Sequence, residues 1–266
     1  MTMARIRALL RKEFLDLARN RTALLPVVLV TILTLVTAFG IAIVLPIMTG
    51  HALGEDTELL KLSTLMGAQD ELSGDGRSQL FLFQQFLLLF LVIPITGAMA
   101  LAAHAIVGEK QARTLEPLLA TPITTFELLV AKVLGALLPT LGVSLTGLAV
   151  YFLGVALFGE PGVLGAMAST RTAALLLIVG PASALVSLQS AIVISSRVND
   201  ARTAQQFGVM IIIPLSVLLV AQFMGTVWLS ATSLALIGLG LFGVWMLLTV
   251  FSVAIFERES ILTRWR

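Results

Sequence analysis

Residues 108–127 read GEKQARTLEPLLATPITTFE, a polar and turn-rich insert between two long apolar runs. The run before it, Ser78 to Val107, holds no Asp, Glu, Lys or Arg, and neither does the run from Val133 to Phe158 after it. Each is long enough to cross the hydrocarbon core of a bilayer, which takes about 20 apolar residues in a helix. The insert is therefore a loop at one membrane face, turned toward a protein partner. Thr114 is placed to N-cap a short helix whose first turn holds Leu115, Glu116 and Pro117, where the N–H groups have no intrahelical acceptor in any case. Pro122 ends that helix. Thr124 with Glu127 three residues on has capping-box spacing and opens a new span, with Ile123 and Leu128 in staple positions. Leu115, Leu118 and Leu119 give the short helix an apolar face flanked by Glu109, Lys110, Arg113 and Glu116. Such a face suits a partner's groove, and also a helix resting on lipid headgroups.

Working outward, the composition agrees. Of the 266 residues 58% are hydrophobic and only 12% charged, with a mean hydropathy of +1.02, where soluble chains carry about a quarter charged residues. The membrane is this chain's solvent. With no cysteine and two isolated histidines there is no disulfide framework, no thiol nucleophile and no Cys or His metal cluster. The net charge of +2 is small and sorted by membrane side, which argues against a nucleic-acid surface.

Ala4 to Asn20 places Ile6, Leu9, Leu10, Phe14 and Leu17 on one helical face, with Arg5, Arg7, Arg11, Lys12, Asp16 and Arg19 around the rest. This predicts an amphipathic interfacial helix over residues 1–21 whose basic flank suits anionic headgroups of membrane lipids. The spans expected from the apolar runs are 23–47, 79–107, 128–158, 172–194, 203–224 and 232–256. The last two share the 54 charge-free residues from Thr203 to Phe256, a length that requires a hairpin bending near Gly225 to Ser233 with Trp228 at the interface. Residues 48–78 form a polar segment with a short surface helix at Glu58 to Met66, and Ser73 to Gly76 reads as a turn. Small and polar residues inside spans, among them Gln84, Gln85, Ser183, Ser187, Ser190 and Gln222, mark helix packing or a pathway. His104, near one interface, reads as a satisfied interfacial histidine.

Orientation follows from the basic residues. With the N-terminus inside, 14 of the 17 Lys and Arg fall in inner segments and only Lys61, Arg77 and Arg171 in outer ones, a strong positive-inside bias. The expected protein is an all-α membrane protein in the cell's inner membrane with six transmembrane helices, both termini in the cytoplasm, and residues 108–127 on the same side.

The run Glu109-Lys110-x-x-Arg113-Thr114-Leu115-Glu116-x-Leu118-Leu119-x-Thr121-Pro122 resembles the signature loop of the ABC type-2 exporter permeases. The family more often has glycine before the threonine, where this chain has Arg113, and Pro117 is a further departure. The resemblance implies that the loop carries a cytoplasmic coupling helix between spans two and three, which docks on an ABC ATPase subunit, and that residues 1–21 are an elbow helix beside it. It also implies two ATPase copies and a second permease, identical or related, with the pathway lined by spans two and five and short re-entrant helices between the last two spans. ATP and Mg²⁺ would sit on the ATPase, since no G-x-x-x-x-G-K-[ST] phosphate loop exists in this chain. Leu72 to Gly76, LSGDG, looks like the ATPase signature peptide but has no phosphate loop to work beside.

Three function classes compete. A non-catalytic permease energised by a separate ATPase, exporting a lipid-like, amphiphilic or drug-like substrate, fits the loop. A secondary transporter would place ionisable groups at mid-membrane, each at about 2.5–3.5 kcal/mol on insertion scales, and the charge-free runs offer none. An intramembrane enzyme needs a nucleophile with its base, and the serines within the spans have no His or Lys at matching depth.

Overall fold

The computed structural model describes residues 2–19, 24–65, 71–111, 124–198, 203, 206, 213, 214, 216–218 and 220–255. Among them there is no strand. Helix α1 (Thr2–Arg19) precedes α2 (Leu25–Phe39) and α3 (Leu45–Thr49), which are joined by the π-turn Gly40–Val44 into one span. After α4 (Thr57–Leu65) come α5 (Gly74–Leu89) and α6 (Val92–Gln111), the two halves of a second span, and then α7 (Thr125–Phe158). Short helices α8 (Val163–Met167) and α9 (Thr170–Ala174) lead through the π-turn Leu175–Val179 into α10 (Gly180–Arg197), and α11 (Ala231–Ile255) closes the described chain. Five helical segments are long and apolar enough to cross a membrane: Leu25–Thr49, Gly74–Glu109, Glu127–Phe158, Thr170–Ser195 and Ala231–Val253. The fifth of the six expected spans, 203–224, lies mostly outside the described residues.

Proline placement explains the irregular turns. A proline ring collides with the carbonyl four residues earlier and offers no N–H to it. Pro46 and Pro181 each follow a π-turn by two residues, and the wider turn makes room, with Leu45 N–H bonded back to Gly40 O and Gly180 N–H to Leu175 O. In the second span the chain tightens instead. Phe90 and Leu91 donate to Leu87 O and Leu88 O, three residues back, just before Pro94.

The second span is the centre of the bundle and is buried almost throughout, while the first, third and last spans expose Leu33, Leu145, Leu157 and Leu247. In a bilayer those side chains meet lipid tails, so packing between spans rests on close fit rather than on removal from water. At the end away from α1, Tyr151 is fully buried among the rings of Phe39, Phe83 and Phe90 and donates its hydroxyl to Phe83 O at 2.6 Å. The bond uses a carbonyl in the tightened second span and gives the ring's polar tip a partner. Nearer α1, spans one, two and three cross at Gly97, where an added Cβ would lie 2.5 Å from Thr140 Cγ2 and 2.9 Å from Val27 Cγ2. Both neighbours are β-branched and stiff. Gly97→Leu is therefore expected to lower stability by about 1–3 kcal/mol through overpacking, measured as the thermal unfolding midpoint in detergent; a midpoint equal to wild type would show that the crossing has slack.

Two local expectations are revised. Ser73 is not in a free turn but caps the second span, its Oγ accepting the Gly76 N–H at 3.0 Å. Among the described residues of the link between the last two spans there is no re-entrant helix, since Met224 to Ser230 is turn, bend and irregular chain before α11 begins.

Candidate functional site

At the α1 end, four charged side chains from three elements meet. Lys12 and Glu13 lie on successive positions of α1, Glu109 on the last turn of the second span, and Lys132 in the second turn of the third. Lys12 is bonded to Glu109, and Lys132 Nζ lies 2.7 Å from the other Glu109 oxygen and 3.4 Å from Glu13 Oε1, while also donating to Ala105 O at 3.2 Å. Asp16 is 3.6 Å from Lys12. Glu109 and Lys132 are buried, whereas the Lys12 side chain is 38% exposed. Burial pulls the Lys12 pKa down, but the hydrogen bond and charge of Glu109, with Glu13 and Asp16, outweigh it and hold the value above an ordinary lysine's. The ammonium stays charged at neutral pH.

Backbone geometry makes this meeting possible. The Cβ that Gly135 lacks would sit 2.8 Å from Glu13 Cβ, so only glycine lets α1 lie this close on the third span. Leu9 is buried in the same contact. Thr124 and Glu127 form a capping box, Glu127 N–H to Thr124 Oγ1 at 3.2 Å and Thr124 N–H to Glu127 Oε2 at 2.9 Å, and Arg5 lies 3.8 Å from that carboxylate. The helix α1 is thus ionically tied to the residues at both ends of 112–123. The cluster joins α1 to spans two and three through side chains alone.

The opposite end holds a second polar feature. Arg171 is 8% exposed, with Nε donating to Leu229 O at 2.9 Å, Nη1 to Gln84 Oε1, and its plane 4.1 Å from the centroid of the Trp228 ring. No carboxylate pairs with it among the described residues, and Nη2 has no hydrogen-bond partner there. A buried guanidinium at the end of a span, with no carboxylate beside it among the described residues, is costly unless its donors are met.

A family model described as ABC-2 family transporter protein matches residues 7–258. The chain belongs to the ABC-2 transporter family. It is a multi-pass membrane transport subunit, a permease. No curated protein matches it.

In this ABC-2 permease the expected coupling helix, with Arg113, Thr114, Leu115, Glu116, Leu118, Leu119, Thr121 and Pro122, lies outside the described residues, as does the side chain of Lys110. Glu109 is the member of that set with a described side chain, and it is buried in the ion cluster. On α1, Arg7, Arg11 and Phe14 are exposed and Arg5 and Lys12 half-buried, while Glu13, absent from the expected set, lies against the third span. Phe14 sits one residue past the strip that meets the third span. His104 is exposed and lines a cavity of about 100 Å³ with Glu13, Asp16 and Gly135.

Within the spans, Gln84 meets Arg171, while Gln85 and Gln222 are buried with no hydrogen-bond partner for either amide atom among the described residues. Ser183 and Ser187 are buried and donate to carbonyls three residues back, Gly180 O and Ala184 O, and Ser190 is half-buried. Sequence reasoning missed Arg171 as an interior residue, having placed it with the exposed outer basic groups. The signal was there in TRT, a lone basic residue directly before an apolar run and opposite Gln84-Gln85. It also missed Gln189, whose amide reaches Ser252 Oγ at 2.7 Å and ties the fourth span to the last.

Proposed function

We propose that this ABC-2 permease is the membrane half of an ATP-driven exporter, energised by a separate ABC ATPase that docks on residues 109–122 and on α1. The observation that carries the reading is the buried cluster of Lys12, Glu13, Glu109 and Lys132. It makes one rigid joint of α1 and the spans on either side of the docking loop, which is the connection an external motor would need. ATP-driven closure of two ATPase copies, which hold the ATP and Mg²⁺, would rock two permease chains between inward-open and outward-open states. One chain supplies half of a pathway, so a second copy or a related permease completes it. The apolar walls and the lipid-facing exteriors suit a lipid-like or amphiphilic substrate.

Reconstitution tests the whole reading. Proteoliposomes holding chain and ATPase are expected to move substrate only with hydrolysable ATP, and substrates identify themselves by stimulating hydrolysis. Transport by the chain with no ATPase present would move it to the secondary transporters. Orientation is tested separately, because the sequence lacks cysteine. Single cysteines at Ser73, Thr121 and Ser260 are expected to separate, with an impermeant maleimide reaching position 73 alone from outside the cell. External labelling at 121 would overturn the inward placement of the docking loop.

A further inference from the structure

The charge on Arg171 is held by uncharged neighbours. Its guanidinium spends Nε–H on Leu229 O and one Nη1 hydrogen on Gln84, its face lies over Trp228, and Nη2 finds no acceptor among the described residues. Two further amides go unanswered in the same end of the bundle. Gln85 adjoins Gln84 on the second span, and Gln222 immediately precedes Phe223, whose ring meets Phe81 of that span edge-on at 6.1 Å. Spans two, four and five therefore each bring a buried polar group with unused hydrogen-bonding capacity. Natural interiors satisfy almost all such groups, and the exceptions call for an explanation, of which a bound ion is one. A guanidinium's free edge is shaped for two oxygens of one anion.

The surroundings add the second half of the ligand. Arg171 is covered by the link from Gly225 to Ser230, which has no helical hydrogen bonding to hold it down beyond the turn at Ala221. Just before that link, Val220 and Met224, four residues apart, stand exposed by 57% and 69%, an apolar strip at the end of the helix that carries Gln222.

We propose that Arg171, with Gln84, Gln85 and Gln222, forms a head-group site for an amphiphile bearing an oxyanion, its tail lying along Val220 and Met224 and the 225–230 link acting as the cover. An anion there supplies the missing counter-charge and the acceptors for Nη2. The inference deepens the transport reading, on which its description of the ligand as a substrate rests.

Trp228 is a built-in reporter, since the sequence has three tryptophans and Trp245→Phe with Trp265→Phe leaves it as the one emitter. The full chain, in phosphatidylcholine nanodiscs without ATPase, is titrated with dodecyl phosphate, inorganic phosphate and dodecyltrimethylammonium. A saturable change in Trp228 emission is expected with dodecyl phosphate and none with the cation. Arg171→Lys, which keeps charge but loses the fork, is expected to weaken the response by about an order of magnitude, and Arg171→Gln to remove it. If Arg171→Gln fails to fold, the lysine variant and the comparison of head groups in wild type decide.

Doping the nanodiscs with phosphatidylglycerol separates the sources: a site already filled there identifies a membrane lipid's head group, and an unchanged response identifies the added amphiphile. Inorganic phosphate saturating at the same concentration as dodecyl phosphate would overturn the tail contact. Equal responses to anion and cation, no saturable response, or an unweakened Arg171→Lys would reduce Arg171 to a structural tie. Because no ATPase is present, failure here leaves the docking assignment standing, and failure of docking leaves binding standing.

Discussion

Chains carrying Leu115→Asp and Leu118→Asp together are expected to insert with their full set of spans but to lose co-purification with the ATPase and substrate-stimulated ATP hydrolysis. The two leucines lie with Leu119 on one face of the expected cross-helix, in a loop otherwise rich in charge, and such a face is stable only when covered. Two carboxylates placed there would be buried without partners on docking. Each unpaired buried charge costs several kcal/mol, and a micromolar complex is held by only about 8 kcal/mol in total, so the pair of substitutions exceeds what the interface can absorb. The spans themselves are untouched, since insertion is driven by the apolar runs on either side. Detergent-extracted variant and wild type are compared for bound ATPase and for hydrolysis with and without substrate. Retained stimulation in the variant would refute docking at this face, and loss of insertion would show that the leucines serve the bundle instead.

Helices were legible in the sequence because charge-free runs of more than 20 residues admit no other structure in lipid. The capping box at Thr124 and Glu127 was legible too, since it depends on two residues three apart. What escaped were features fixed between elements. Nothing local distinguishes Glu13 from Asp16 on α1, yet Gly135 on the third span lets the first approach and leaves the second half exposed. Arg171 was counted with the outer basic residues because charge bias reads position along the chain, whereas its burial depends on Trp228 and Leu229, 57 and 58 residues further on. The hydroxyls of Ser183 and Ser187 on the fourth span turn back on their own helix, a choice between packing and pathway that spacing cannot decide.

The ion cluster at the α1 end gives the last expectation, and exposure ranks its members. Replacing Glu109 by Gln removes the acceptor shared by Lys12 and Lys132. Lys12, more than a third exposed, falls back on Glu13 and Asp16 at 3.8 and 3.6 Å and on water. Lys132, with a side chain 2% exposed, keeps Glu13 at 3.4 Å and the Ala105 carbonyl among the described residues. Breaking a buried pair costs about 3–5 kcal/mol because of the charge left behind, and the surviving Glu13 contact puts Glu109→Gln near the low end, at about 3 kcal/mol. Lys12→Ala, which removes a half-exposed partner and leaves Glu109 beside Lys132, should cost less, at about 1 kcal/mol. Adding Lys132→Met to Glu109→Gln removes the orphaned charge and is expected to restore most of the stability, read as thermal unfolding of the three variants side by side. Stability and coupling then come apart: the repaired double variant is folded but keeps only the Arg5–Glu127 pair between α1 and the ends of the docking loop, so hydrolysis by the partner ATPase is expected to respond weakly to substrate. A double variant less stable than Glu109→Gln would mean that Lys132 is needed for its bond to Ala105, and one that keeps a full substrate response would show that force reaches the spans by another route.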